Sequence, residues 1–141
     1  MWVAAQQIAI DADRVTSEMH GARSASLRDQ LMRAAMSVPS NIVEGSAHTS
    51  QREFARYLTI ALASASELEG HVQLARDLNL MSEQDYSGLV ALIIDVRKML
   101  HGLIKRLRGN SGDKRKPDNG QRETDDGQQG PDDGQQATGN G

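Results

Sequence analysis

Four basic side chains recur at intervals of three or four residues near the end of the apolar part of the chain: Lys98, His101, Lys105 and Arg108. On a helix, these positions fall within about 80° of one another, and Arg97 flanks them. Such a stripe can bind phosphate groups in a salt-dependent, sequence-independent manner. The alternative is that cations near the C-terminus of a helix only offset its dipole and keep the surface soluble.

A second pair of reactive residue types is Glu67 and His71, which are four residues apart and within reach of each other on a helix. Such pairs occur in helical metal sites, but di-iron bundles need Glu-x-x-His on two helices and two further glutamates. The chain lacks that motif, so we predict no metal and instead a polar contact between Glu67 and a group such as Arg33. It also lacks a Gly-rich phosphate loop, a cysteine and a serine–histidine–acid arrangement, so we expect neither an enzyme nor a cofactor.

Composition divides the chain near Gly109. Residues 1–108 contain 12 Lys and Arg and 12 Asp and Glu, whereas residues 109–141 contain 4 and 7, which accounts for the net charge of −3. Because the first part is neutral, a basic site there must be a local patch. Residues 109–141 have no Leu, Ile, Val, Met, Phe, Tyr or Trp and repeat the sequence DDGQQ. We predict that they form a disordered, low-complexity acidic tail, with folding on a partner as the alternative.

No segment has the features of a secretory signal or a membrane span. The first residues, MWVAAQQIAIDADR, have no basic region ahead of the apolar ones. The most apolar run, from Leu89 to Ile94, is far shorter than the ~20 residues that cross a bilayer. We therefore expect a soluble, cytoplasmic protein without a membrane partner.

Apolar residues at intervals of three and four predict four helices, over residues 2–20, 25–44, 50–78 and 83–108. Their predicted core-facing residues are, in chain order, Ala5, Ile8, Ala12, Val15 and Met19; Leu27, Leu31, Ala35, Val38 and Ile42; Phe54, Leu58, Ala61, Ala65, Leu68, Val72 and Ala75; and Leu89, Leu92, Val96, Met99, Leu103 and Leu107. Short loops force neighbouring helices to be antiparallel. Residues 1–108 are therefore predicted to form an all-α, antiparallel up-down-up-down four-helix bundle.

Residue types at the helix ends agree with these bounds. Two capping-box patterns are present, Ser50 with Glu53 and Ser82 with Asp85. Ser24 or Ser26 is expected to cap the second helix. The residues expected to end the first, second and fourth helices are Gly21, Gly45 and Gly109.

The third helix carries a second stripe beside its core-facing one, made of Tyr57, Ile60, Ser64, Glu67, His71, Leu74 and Leu78. A helix in an isolated bundle touches two neighbours, which explains part of this width. The remainder predicts an interface with a second subunit, formed by Tyr57, Ile60, Ser64, His71 and Leu74.

Pro39 lies inside the second helix, in the sequence SVPSNIVEGS, although a proline in a helix interior costs about 3 kcal/mol. One explanation is structural: Pro39 sets a bend or a break, and Ser37 and Asn41 bind the backbone groups that it frees. Gly45 then stops the helix with a positive φ. The other explanation is functional and assigns a recognition site at the end of the bundle to Arg33, Asn41 and Glu44. A bend that shapes the edge of a subunit would satisfy both.

Two neighbouring segments, QLMRAAMSVPSNIVEGS and SQREFARYLTIALASASELE, resemble the small four-helix bundle family found in intervening sequences of large-subunit ribosomal RNA genes. The pattern of that family is approximately QLRRAAxSIPxNIAEG, a short loop, and EFxxFLxIAxGSxxELE. The match is dense over residues 30–69 and includes Arg33, Pro39, Asn41, Glu44, Gly45 and Glu67. The accessory variability proteins of diversity-generating retroelements are relatives of this family.

The resemblance implies a closed ring, commonly of five subunits, that binds nucleic acid or a nucleoprotein partner such as a reverse transcriptase. The chain departs from the pattern at Met32, at Ala47-His48 and at Ala63, and the first two departures remove basic character. From the resemblance as a whole we expect a non-enzymatic homo-oligomer, with a pentamer favoured, that binds RNA, DNA or a nucleic-acid-processing partner. Its expected contact residues are Arg97, Lys98, His101, Lys105 and Arg108. The alternative is a structural or adaptor oligomer that binds a protein and has no affinity for nucleic acid.

Overall fold

Four α-helices make up the described part of the chain. The computed structural model describes the backbone of residues 1–112 and the side chains of residues 1–109. The helices are α1 (Trp2–Ser17), α2 (Ala25–Ser46), α3 (Gln51–Asp77) and α4 (Glu83–Gly112), with a 3₁₀ turn over Ala22–Ser24 before α2. No strand occurs in residues 1–112, and the predicted all-α four-helix bundle is confirmed. The acidic tail predicted to follow lies, from residue 113 onward, outside the described residues.

Contacts between α2 and α3 show that these two helices are antiparallel. The hydroxyl oxygens of Ser37 and Ser64 are 2.7 Å apart. Eight residues further along α2, Gly45 lies against Tyr57, which is seven residues earlier on α3. The two contacts therefore advance in opposite directions along the chain by nearly equal steps.

Ion pairs place α4 between α1 and α3. Arg14, near the end of α1, pairs with Asp85, near the start of α4, at 3.3 Å. Further along α4, Arg97 pairs with Glu69 of α3. Each helix is thus antiparallel to its two neighbours, and α1 lies diagonally across the bundle from α3.

The core runs the length of the compact unit formed by Met1–Leu107. All five residues predicted for the buried face of the first helix are buried, although Met19 lies just beyond the end of α1, but the predicted face of α4 is partly wrong. The buried residues of α4 are Leu89, Ile93, Val96, Leu100, Ile104 and Leu107. Leu92 and Leu103 are only half-buried, and Met99 is 40% exposed. Because apolar residues surround most of this helix, the periodicity fits two neighbouring faces, and packing against α1 and α3 selects one. On α3, Phe54 is half-buried, whereas the adjacent Ala55 is buried.

Serine caps begin α3 and α4 as predicted. The Ser50 hydroxyl accepts a hydrogen bond from the Glu53 N–H at 3.2 Å, and the Ser82 hydroxyl accepts one from the Asp85 N–H at 3.0 Å. The cap predicted for α2 is wrong, because the Ser24 side chain instead donates to the carbonyls of the preceding turn.

None of the described helices ends at one of the three glycines predicted to end them, Gly21, Gly45 and Gly109. Gly21 has φ of 100° and turns the chain, but α1 already ends at Ser17. The fourth helix continues past Gly109 to Gly112, so the first residues assigned to the tail are helical. α3 ends in a Schellman motif, in which Asn79, with φ of 61°, takes the place usually held by glycine.

Of the bend or break predicted at Pro39, the break is wrong, and so is the stop at Gly45, since α2 is one continuous helix from Ala25 to Ser46. Pro39 is buried in its interior. Gly45 is helical and buried because α3 approaches closely: a Cβ there would lie 2.7 Å from the Cβ of Tyr57 and 3.0 Å from a ring carbon of Phe54. The glycine is required by the distance between two helices rather than by its φ.

Candidate nucleic-acid interface

The predicted basic stripe lies on the exposed side of α4. Lys98, His101 and Lys105 are all exposed. At 100° per residue they lie about 100–160° around the helix from the centre of its buried face. Arg108, one turn beyond Lys105, is also exposed, and Arg106 adds an exposed cation that the prediction omitted. The corrected register of the core therefore leaves the stripe in contact with solvent.

Arg97 does not belong to this exposed stripe. Its guanidinium donates to a carboxylate oxygen of Glu69 on α3, and both side chains are half-buried. The pair joins the two helices near the middle of the bundle. Arg97 was predicted to contact nucleic acid, but its geometry is that of a structural contact between helices.

Two arginines on α3, Arg52 and Arg56, lie at the same end of the bundle as the end of the α4 stripe. Their heights follow from a contact at the opposite end of α3. The Arg76 guanidinium lies 4.2 Å from the ring centroid of Tyr86, so these two residues are level. Arg56 is twenty residues before Arg76, and in an antiparallel neighbour it comes level with Arg106, twenty residues after Tyr86. Arg52, one turn earlier, is exposed like Arg56. The sequence prediction treated α4 alone, although the up-down topology that it assumed already brings the start of α3 to the end of α4.

A cluster around Tyr57 holds Arg56 in place. The Arg56 guanidinium lies 4.7 Å from the centroid of the Tyr57 ring, and the His48 ring stacks on the same ring at 5.1 Å with an angle of 14°. Arg56 also donates to Glu53 at 3.2 Å, and this hydrogen bond raises the pKa of the Arg56 guanidinium. Arg56 is therefore positively charged at any physiological pH.

Charge is separated along the long axis of the Met1–Leu107 unit. We define the basic half as residues 39–65 and 98–107, the part at the α2–α3 turn, and the acidic half as residues 1–38 and 66–97. The basic half has five Lys and Arg and two Asp and Glu, a net of +3. The acidic half has six and ten, a net of −4. The near neutrality of the bundle thus conceals two regions of opposite charge.

Helix dipoles do not account for all of the cations in the basic half. Cations near the C-terminus of α4 do oppose the dipole of that helix favourably. Arg52, however, lies in the first turn of α3, where a positive charge is disfavoured, and Arg56 in the second turn gains nothing from the dipole of that helix. The dipole alternative therefore explains part of the α4 stripe and leaves the α3 pair unexplained.

The three residues of the alternative recognition site are only partly brought together. Arg33 and Asn41 line one shallow groove of about 560 Å³ on the outer surface of α2. The Asn41 amide donates to the carbonyl and the hydroxyl of Ser37, at 2.8 and 3.0 Å, so it is engaged within its own helix. Glu44 lies outside the groove, with a carboxylate oxygen 3.9 Å from Nε2 of His48.

The predicted interface stripe on α3 divides into internal and external residues. Ser64 is buried, and its bond to Ser37 places it inside the subunit rather than at its surface. Ile60 and Leu74 are 38% and 47% exposed, while Tyr57 and His71 are half-buried.

Glu67 pairs with His71 on the same helix at 3.5 Å, rather than with the predicted Arg33. Among the described residues, no group of three or more His, Asp or Glu is arranged to hold a metal ion.

Comparison with known protein families gives a match over most of the chain. The family model of the 23S rRNA-intervening sequence protein matches residues 1–102. The chain belongs to this family. The family predicted from the segment around Pro39 is therefore confirmed. The match ends at residue 102, before the last turns of α4.

A solved structure has the same fold as this member of the 23S rRNA-intervening sequence family. It is the crystal structure of a protein of unknown function from the S23 ribosomal protein family of Bacteroides thetaiotaomicron. The TM-score is 0.69 at 21% sequence identity, and the alignment covers 74% of this chain and 97% of the other. The comparison with curated proteins gave no match. Within the described residues, no helix has the length and apolar character needed to cross a membrane.

The departures from the family pattern lie at the surface or at its edge. Met32 is half-buried and lines the α2 groove beside Arg33. Ala47 and His48 form the exposed turn between α2 and α3, and Ala63 is exposed on α3. Met32 also packs against the core, whereas Ala47, His48 and Ala63 are exposed, so the departures at Met32 and at Ala47-His48 lower the positive charge of the surface and the one at Ala63 leaves the charge unchanged.

Proposed function

We propose that this protein is a non-enzymatic homo-oligomer that binds nucleic acid, RNA or DNA, through the basic half of its α3–α4 surface. The observation that supports the proposal is the presence of exposed cations on two neighbouring helices in the basic half of the bundle. They are Arg52, Arg56, Lys98, Lys105 and Arg106. The resemblance to ring-forming relatives favours five copies, which would multiply this charge around a common axis.

Contact with the phosphate backbone, rather than with bases, is the mode that these residues favour. Base stacking requires exposed aromatic rings. In the described residues, Phe54 is half-buried against the core, and the ring of Tyr57 is covered by His48 and Arg56. Tyr86 lies under Arg76, and Trp2 is 40% exposed on α1, so both of these rings are in the acidic half. The interface should therefore bind many sequences with similar affinity and lose affinity steeply as salt is raised.

The first test is binding of mixed-sequence RNA and DNA at ~50 mM salt and at higher salt, with Lys98→Glu/Lys105→Glu as the variant. We expect the affinity to fall at least about tenfold and the salt slope to become shallower by about 2. Arg23→Glu/Arg33→Glu is the matched control, because it makes the same change of charge at two exposed arginines of the acidic half.

The outcomes of this test separate the alternatives. The proposal fails if the wild-type protein binds neither RNA nor DNA at ~50 mM salt, and the adaptor alternative then remains. It also fails if the lysine variant binds as well as the wild type. Loss of binding in the arginine control alone would move the site to the α2 groove.

A reverse transcriptase is the protein partner that the resemblance to accessory variability proteins suggests. The basic half would then contact the nucleic acid held by that enzyme. A reverse transcriptase gene beside the gene for this chain, followed by co-purification of the two proteins, would support this partner. Absence of co-purification with such a neighbouring enzyme would count against it.

A further inference from the structure

Each of the four helices contains a stretch of nine or ten residues without a single charged side chain. The stretches are residues 2–10, 34–43, 57–66 and 86–94. Elsewhere charges are frequent, since 25% of all residues are Asp, Glu, Lys or Arg. A buried helix face needs no charge, but the solvent-facing side of a bundle helix normally carries several.

The outer sides of these stretches are apolar and open to solvent. Seven of the ten exposed large apolar side chains of the described residues lie in them: Trp2, Val3, Ile10, Met36, Val43, Ile60 and Ile94. Val3 is 74% exposed, and Ile10 and Met36 are each 56% exposed. Loss of charge together with exposed apolar side chains is the composition of the core of a protein–protein interface.

The charge-free stretches of α1 and α4 lie at overlapping heights along the bundle, and so do those of α2 and α3. Arg14 is level with Asp85, so residues 2–10 of the antiparallel α1 are level with about residues 89–97 of α4. Arg76 is level with Tyr86, so residues 57–66 of α3 are level with about residues 96–105. The α3 stretch therefore begins at the height where the α4 stretch ends, so the charge-free segments follow one another along the bundle and do not form a closed belt.

The exposed apolar residues of α1 and α3 form two separate faces. These helices are diagonal in the bundle, so Val3 and Ile10 point away from Ile60 and Leu74. A closed ring needs two different surfaces on each subunit, one for each neighbour, whereas a two-fold dimer uses one surface twice. Two apolar faces on opposite sides of one subunit are what a ring requires.

The heights of the two faces are complementary. Ile10 is four residues before Arg14 and is level with residue 89 of α4, while Leu74 is two residues before Arg76 and is level with residue 88. By the same counting, Ile60 is level with residue 102 of α4 and Val3 with residue 96. The height of Val3 is therefore between the heights of Leu74 and Ile60. Copies related by a rotation about an axis parallel to the bundle keep their heights, so these residues would meet.

We propose that the outer face of α1 in one copy, centred on Ile10, packs against the outer face of α3 in the next copy, centred on Leu74. This inference rests on the oligomeric part of the proposed function and specifies how the subunits join. Glu67 lies between Ile60 and Leu74 on the α3 face, and the exposed amide of Gln6 is at nearly the same height on α1. In the proposed contact, the Glu67 carboxylate of one copy would thus face the Gln6 amide of the next copy, which can donate a hydrogen bond to it.

The test uses two single variants, Ile10→Asp and Leu74→Asp, and measures mass by light scattering. We expect each variant alone to be a monomer of 15.3 kDa, because each lacks one of the two faces. A mixture of the two should form a dimer and nothing larger, since only one intact pair of faces remains. Met99→Asp, at an exposed residue of α4 outside both faces, is the matched control and should keep the mass of the wild type.

Each other outcome has a defined meaning. A monomeric wild type overturns the oligomer itself, whereas a wild-type oligomer that survives Ile10→Asp overturns only this inference. Monomeric variants that do not dimerise on mixing overturn the pairing of the two faces. Circular dichroism checks that each variant is folded, and Ile10→Ser and Leu74→Ser repeat the experiment with smaller changes if either aspartate variant is not.

Discussion

Replacement of Gly45 by alanine tests the closest approach between α2 and α3. The added Cβ would lie 2.7 Å from the Cβ of Tyr57 and 3.0 Å from a ring carbon of Phe54. Ordinary carbon–carbon contacts have an optimum near 3.5–4.0 Å, so the overlap is about 1 Å. A Cβ is attached directly to the backbone, so rotation of the Tyr57 side chain cannot relieve the contact.

Two effects of opposite sign determine the expected magnitude. Alanine is more favourable than glycine in a helix interior by about 1 kcal/mol. Overpacking typically costs about 1–3 kcal/mol, and a contact between a Cβ and a second Cβ falls in the upper part of that range because helices must separate. We therefore expect Gly45→Ala to lower the free energy of unfolding by about 1–2 kcal/mol, which corresponds to several degrees in Tm for a domain of this size.

Urea unfolding followed by circular dichroism, at one protein concentration for all variants, measures this change. Gly70→Ala is the matched control, because Gly70 is exposed within α3 and a Cβ there meets no atom within 4 Å. That variant should be more stable than the wild type by up to about 1 kcal/mol. If Gly45→Ala is stabilised as much as Gly70→Ala, the close approach is not a constraint and the reasoning is refuted.

Two further predictions concern the core and its polar contact. Leu68 is fully buried, so Leu68→Asp should remove several kcal/mol or more from a total of about 5–15 and unfold the subunit; a variant with wild-type helicity by circular dichroism would contradict this. Ser37→Ala should cost about 1 kcal/mol, because it leaves the hydroxyl of Ser64 buried without that partner. In denaturation experiments, Ser64→Ala should lower the free energy of unfolding less in the Ser37→Ala background than in the wild type. Strictly additive losses would show that the two hydroxyls are not coupled.

The candidate site shows where prediction from sequence stops. The stripe of Lys98, His101 and Lys105 follows from spacing on one helix, and the same spacing was enough to predict that all three side chains are exposed. The pairing of Arg97 with Glu69 was not, because it depends on the distance and rotation between α3 and α4. Arg52 joins the same surface only after the antiparallel packing is taken into account.

The sequence by itself determined the number of helices, the starts of α3 and α4, and the family. These features depend on interactions within a few residues: apolar periodicity, serine caps and a segment of characteristic residues around Pro39. They do not require knowledge of any neighbouring helix, and for that reason local pattern was sufficient.

Only the tertiary structure decided which face of α4 is buried, why residue 45 is a glycine, and how charge is distributed between the two halves of the bundle. Leu92 and Ile93 are both suitable for a core, and contact with the other helices selects Ile93. Gly45 has an ordinary helical conformation, and its constraint comes entirely from Tyr57 and Phe54 on α3. These outcomes depend on distances between segments that are far apart in the chain, and such distances exist only once the helices have packed.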